Sequence, residues 1–72
     1  MKKIKKYDSI IIIKDILANN YDHDLVKKGS RGTILDIIVL SQKNIYVIEM
    51  DNERYPQGII LELTEEDFVL DS

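Results

Sequence analysis

The residue types in this chain that could do chemistry sit in four places. Asp22-His23-Asp24 offers one imidazole between two carboxylates, the start of a metal site or of an acid–base pair. Completing a zinc set takes further His or Cys ligands, and the chain has His23 alone and no cysteine. Adjacent side chains of an extended loop also point different ways, so the triplet reads as a polar loop, and no metal or other cofactor is expected. Ser9, Ser30 and Ser41 could each act as a nucleophile with His23 as base. No nucleophile-elbow pattern or oxyanion-type turn accompanies them, and the chain is expected to be a non-enzyme.

The third place is Gly29-Ser30-Arg31-Gly32, preceded by Lys27 and Lys28. Backbone N–H groups of a glycine turn together with cations can cradle a phosphate, which makes Lys27, Lys28 and Arg31 the candidate nucleic-acid contacts. The simpler reading is a turn whose glycines supply positive φ and whose cations are solvated. Nucleic-acid modules interleave exposed aromatics with their basic residues, whereas Tyr7, Tyr21, Tyr46, Tyr55 and Phe68 are scattered. The fourth place is acidic. Residues 49–72 carry Glu49, Asp51, Glu53, Glu62, Glu65, Glu66, Asp67 and Asp71 against Arg54 alone, a local balance of −7 within a net charge of −3. Such a field disfavours phosphate backbones and attracts basic partners, although its commonest use is solubility.

These groups need a scaffold, and 72 residues allow one domain with one small core. The domain is expected to span residues 1–72, with residues 1–6, which hold four lysines and no acid, as a basic flexible tail. With no disulfides to brace it, packing must carry stability, helped in one reading by oligomerisation. The apolar run after the lysines covers only residues 10–13, short of the roughly 7–15 of an export segment, and nothing approaches the roughly 20 of a membrane span. A soluble cytoplasmic protein without membrane contact is expected.

Period two and β-branched runs predict five strands, near residues 8–14, 31–40, 45–51, 58–63 and 68–70. Tyr46, Ile48 and Met50 share one face of the third, and Ile59, Leu61 and Leu63 turn inward in the fourth. The expected core holds Ile11, Ile13, Ile34, Val47, Leu61, Leu63 and Phe68. A long loop follows strand one, with at most one helical turn near residues 14–19 and with Ile16, Leu17, Leu25 and Val26 pinning its ends. Thr64 is expected to cap a single helical turn over residues 65–67. The fold class is therefore all-β, a small SH3-like five-stranded barrel with one long loop after strand one and one helical turn before the last strand.

Four segments carry a resemblance: strand one with Lys14-Asp15-Ile16; Lys27-Lys28-Gly29-Ser30-Arg31-Gly32-Thr33-Ile34; Tyr46-Val47-Ile48-Glu49-Met50; and Leu63-Thr64-Glu65-Glu66-Asp67-Phe68. Their order and spacing resemble a small bacterial family of SH3-like barrels of unknown function. Its members read as an apolar strand, a Lys-Gly-x-x-Gly-Thr-Ile turn, a Val-x-Phe strand and a Leu-Ser-x-x-Asp-Leu ending. This chain departs in its longer loop at residues 19–24 and its longer second strand. Some relatives look as if they belong to bacterial toxin–immunity systems, so the resemblance implies an immunity-type role. The expected function is an immunity or antitoxin-type inhibitor whose acidic residues Glu49, Asp51, Glu53, Glu62, Glu65, Glu66 and Asp67, anchored by Tyr46 and Tyr55, bind a basic toxin domain such as a nuclease. The alternatives are a KOW-like RNA- or ribosome-binding module and a homo-oligomeric or accessory subunit, the latter prompted by the two-sided apolar runs at residues 10–13 and 37–40.

Overall fold

A computed structural model describes residues 3–18, 25–51, 53–55 and 58–71. Among these there is no helix, and there are seven strands: β1 (Ser9–Ile12), β2 (Ile16–Leu17), β3 (Leu25–Val26), β4 (Arg31–Val39), β5 (Asn44–Met50), β6 (Ile60–Leu63) and β7 (Phe68–Leu70). Five form one antiparallel sheet in the order β6-β5-β4-β1-β7, and β2 pairs with β3 in a second, two-stranded sheet. The five long strands fall where β-branched runs and period two place them.

β4 and β5 are the spine. They form a hairpin closed by the Leu40 N–H donating to the Lys43 carbonyl at 3.0 Å. Their register is interrupted between Ile34 and Asp36, where a bulge adds Leu35. Strict alternation would point Asp36 inward along with Ile34. The extra residue shifts the phase, so that Asp36 pairs with outward-facing Val47 and is exposed, while Ile37 pairs with Tyr46 and packs against the core. The bulged backbone is also gripped from the other side: the Tyr7 N–H donates to the Ile34 carbonyl at 2.7 Å, and the Ile34 N–H to the Asp8 carbonyl at 3.0 Å. Tyr7 adopts φ 70° to make this join, within a turn in which the Asp8 carboxylate accepts from the Lys5 N–H.

The core consists of Ile10, Ile12, Ala18, Val26, Ile34, Tyr46, Ile48, Met50, Ile59, Leu61, Leu63 and Phe68. Ile34, Leu61, Leu63 and Phe68 match the expectation, while three other residues need correction. In β1 the buried pair is Ile10 and Ile12; Ile11 is half-buried and Ile13 is 41% exposed. Four consecutive isoleucines carry no alternation of their own, so the phase is set by neighbours: Ile12 lies opposite Phe68 and Ile10 opposite Gly32. In β5 Val47 is half-buried on the outer face, and Tyr46, Ile48 and Met50 face the core. Full burial of one such side chain contributes roughly 1.5–3 kcal/mol, so the choice of face decides stability.

Gly32 is required by this packing. A Cβ there would stand 2.8 Å from Ile48 Cγ2 and 2.9 Å from the Glu49 carbonyl oxygen. The excursion between β1 and β4 is likewise ordered at its base, where Ile16 and Leu17 form β2 and not a helical turn. β2 pairs with β3 through Ile16 opposite Val26 and Leu17 opposite Leu25. Gly29, at φ 93°, turns the chain back so that its N–H donates to the Ile12 carbonyl at 2.7 Å.

The expected helical turn before the last strand is a hydrogen-bonded turn instead. The Asp67 N–H donates to the Thr64 carbonyl at 3.1 Å, and the Asp67 carboxylate accepts from the Thr64 N–H at 3.1 Å. The capping side chain is thus Asp67, at the far end of the turn from Thr64. No helix among the described residues is long and apolar enough to cross a membrane.

Candidate functional site

The outer face of β4, β5 and β6 brings together residues that lie far apart in the chain. Strand pairing arranges them in rows across the sheet. Glu62, Val47 and Asp36 form one row; Ile60, Glu49 and Thr33 form the next, continued by Ser9 of β1; Ile45 and Ile38 form a third on the opposite side of the first. The result is an aliphatic surface, with Ile60 47% and Ile38 42% exposed, in which three carboxylates are set. Asp36 is met by the Lys6 ammonium at 3.7 Å. Glu49 and Glu62 have no ion pair among the described residues, so the face keeps uncompensated negative charge on rigid strands.

The other acidic candidates are dispersed. Glu65 and Glu66 lie at the Asn44 end of β5, beside a shallow depression they share with Leu40, Lys43 and Thr64. Asp51 lies at the opposite end of β5, beside a second depression that also holds Asp71 and Arg31. Its carboxylate accepts from the Glu53 N–H at 3.0 Å, which shapes the turn after β5. Glu53 is exposed there. Asp67 is committed to its own turn and to Lys14, whose ammonium lies 3.0 Å from Oδ1. Partial burial would raise this carboxyl, but Lys14 and the Thr64 amide and hydroxyl outweigh it and hold Asp67 below its ordinary 3.8.

Neither tyrosine presents its ring as a free anchor. Tyr46 is 2% exposed, with its ring edge-on to Phe68 at a centroid separation of 5.3 Å, and its hydroxyl donates to Glu65 Oε1 at 2.7 Å. Burial, supported by the nearby Glu65 charge, pushes its phenol above the ordinary 10.0 despite a hydrogen bond from Asn44 that opposes the rise. Tyr55 is half-buried; its hydroxyl shares a 3.0 Å hydrogen bond with Ser30 Oγ and accepts from the Lys27 N–H. Both belong to the scaffold.

Among the basic candidates, Lys27 and Lys28 are exposed beside Gly29. The Lys28 N–H donates to the Asp15 carboxylate at 2.8 Å, so an acid already stands at this turn. Arg31 is turned to Asp71, with Nε 3.6 Å from Oδ2. The Asp22-His23-Asp24 triplet lies outside the described residues.

Sequence reasoning flagged Ile38 only within the two-sided apolar run at residues 37–40 and assigned Val47 to the core, and it missed Ile45, Ile60 and Asp36 as members of this face. The alternation in β5 was sufficient to place Val47 and Ile45 outward. Asp36 and Ile38 depended on the bulge, which leaves no mark in the residue pattern. No family model, no curated protein and no solved structure matches this chain.

Proposed function

We propose that this protein is a non-catalytic binding protein of the immunity or antitoxin type, which neutralises a basic toxin domain, such as a nuclease, through its acidic residues. The observation that carries the reading is the placement of Glu49 and Glu62, both without an ionic partner among the described residues, around exposed aliphatic side chains on one rigid face. Clustered charge on a rigid scaffold steers encounter with a basic partner, and the apolar groups between the charges supply contact area that excludes water.

The finer fold assignment belongs to the same proposal. An SH3-like barrel is supported by the strand order, in which β7 returns beside β1, by the bulge in β4, and by the long excursion between β1 and β4.

Charge reversal tests the function. Glu49→Lys with Glu62→Lys is expected to weaken binding to a cognate toxin and slow association at low salt. Full protection of toxin-expressing cells by the double variant, at unchanged affinity, overturns it. The competing KOW-like RNA-binding reading draws on Lys27 and Lys28 at the Gly29 turn and predicts affinity falling by about 0.7 log units per phosphate contact for each decade of salt. A flat salt profile, or no RNA binding at low ionic strength, removes it.

A further inference from the structure

We infer that the outer face of β4–β5–β6 is a docking surface for a basic amphipathic helix of the partner, laid across the three strands over the row Glu62–Val47–Asp36. This rests on the acidic-docking reading above and narrows it to one face and one kind of ligand. Neighbouring strands are about 4.8 Å apart, so the two carboxylates at the ends of the row stand on backbones roughly 10 Å apart with an aliphatic side chain midway. A helix rises about 1.5 Å per residue, so cations at positions i and i+7 are about 10.5 Å apart, with an apolar residue at i+3 or i+4 between them. That pattern of cation, aliphatic and cation matches the row. An extended segment repeats same-side residues about every 6.8 Å, out of step with the roughly 10 Å between the two carboxylate-bearing strands.

Charge complementarity identifies the occupant, and the chain itself supplies an example. Lys6 of the amino-terminal segment already lies on this face, its ammonium 3.7 Å from Asp36 Oδ1. The segment is held there by the Tyr7-to-Ile34 hydrogen bond. Lys6 therefore occupies the position of one incoming cation and competes with it. Glu62, at the other end of the row, and Glu49, beside Val47, are open to the second.

The test uses the full chain, 15N-labelled, titrated at low salt with an alanine-based helical peptide of about 18 residues, two lysines seven positions apart and leucines between them. Saturable shifts at the amides of Asp36, Ile38, Val47, Glu49 and Glu62 are expected. Binding should weaken about tenfold in Glu62→Lys and strengthen about twofold in Lys6→Ala. Glu62→Gln, which removes the charge without adding one, should fall between wild type and Glu62→Lys. Shifts centred on the Glu65–Glu66 turn or on Asp51 overturn the choice of face and leave the acidic-docking reading standing. Equal binding of a peptide with glutamates in place of the lysines overturns the charge argument, and no saturable binding overturns the helix-docking inference, while the charge-reversal test with a cognate toxin decides the acidic-docking reading separately.

Discussion

The Tyr46 hydroxyl reaches Glu65 Oε1 at 2.7 Å, so β5 and the turn between β6 and β7 are joined by a hydrogen bond to a carboxylate at the surface. Tyr46→Phe keeps the ring against Phe68 and removes this bond together with the longer one, 3.4 Å, that the hydroxyl accepts from Asn44 Nδ2. A loss of about 1 kcal/mol is expected, read as a fall of roughly 4–8 °C in Tm. In an alkaline absorbance titration the same variant should lose a phenol that burial holds above its ordinary 10.0. An unchanged Tm would place Glu65 elsewhere.

Asp67 gives the acid limb of stability a definite sign. Its folded carboxyl titrates below its ordinary 3.8, so its contribution is fully present above that value and is lost as pH falls through the folded one. Lys14→Gln, which removes the ammonium 3.0 Å away, should lower Tm slightly at neutral pH, where the interaction is fully present, and leave it nearly unchanged in acid, where Asp67 is protonated, so that the dependence of Tm on pH below about 4 flattens. A steeper acid limb in the variant would contradict the assignment.

The face assignment of β5 is tested by a pair of truncations. Ile48→Ala leaves a cavity in the core and should cost about 2–5 kcal/mol, enough to threaten folding of so small a domain. Val47→Ala, one residue away on the outer face, should cost well under half as much. Chemical denaturation of both variants decides it, and the reverse order would mean that the strand presents its other side.

Glycine positions separate in the same way. Gly32→Ala pushes a methyl into the Glu49 carbonyl, which the sheet fixes in place, and should cost about 1–3 kcal/mol with visible shifts along β5. Gly29 meets nothing within 4 Å, so Gly29→Ala carries only the cost of its left-handed φ of 93°, about 1–2 kcal/mol, with no repacking. Amide spectra distinguish the two modes even where the stability losses are similar.

How much of this was legible in the sequence differs from strand to strand. Thr33 to Leu40, Ile45 to Asp51 and Phe68 to Leu70 announce themselves through β-branched runs bounded by polar turns, and all lie within a residue or two of the observed strands. β2 and β3 are two residues each, too short for any period to show, and their pairing is imposed by the ends of the excursion. The uniform isoleucines of β1 specify a strand and say nothing of which side is buried. The acidic residues were visible as a composition, yet their grouping was not. Strand pairing sets Glu49 and Glu62 around Val47, while local hydrogen bonds draw Asp67 and Asp51 into turns.

The return of β7 to the side of β1 has a consequence for how the chain acquires its structure. β1 is held on one side by residues Arg31 to Thr33 and on the other by Phe68 to Leu70, which are synthesised long afterwards. The β4–β5 hairpin can form from local contacts while translation continues. Ile12 cannot be covered by Phe68 until the last strand has left the ribosome. The assembly of this domain therefore ends with a long-range closure, and an isoleucine-rich strand waits with one edge and its core face open until that step occurs.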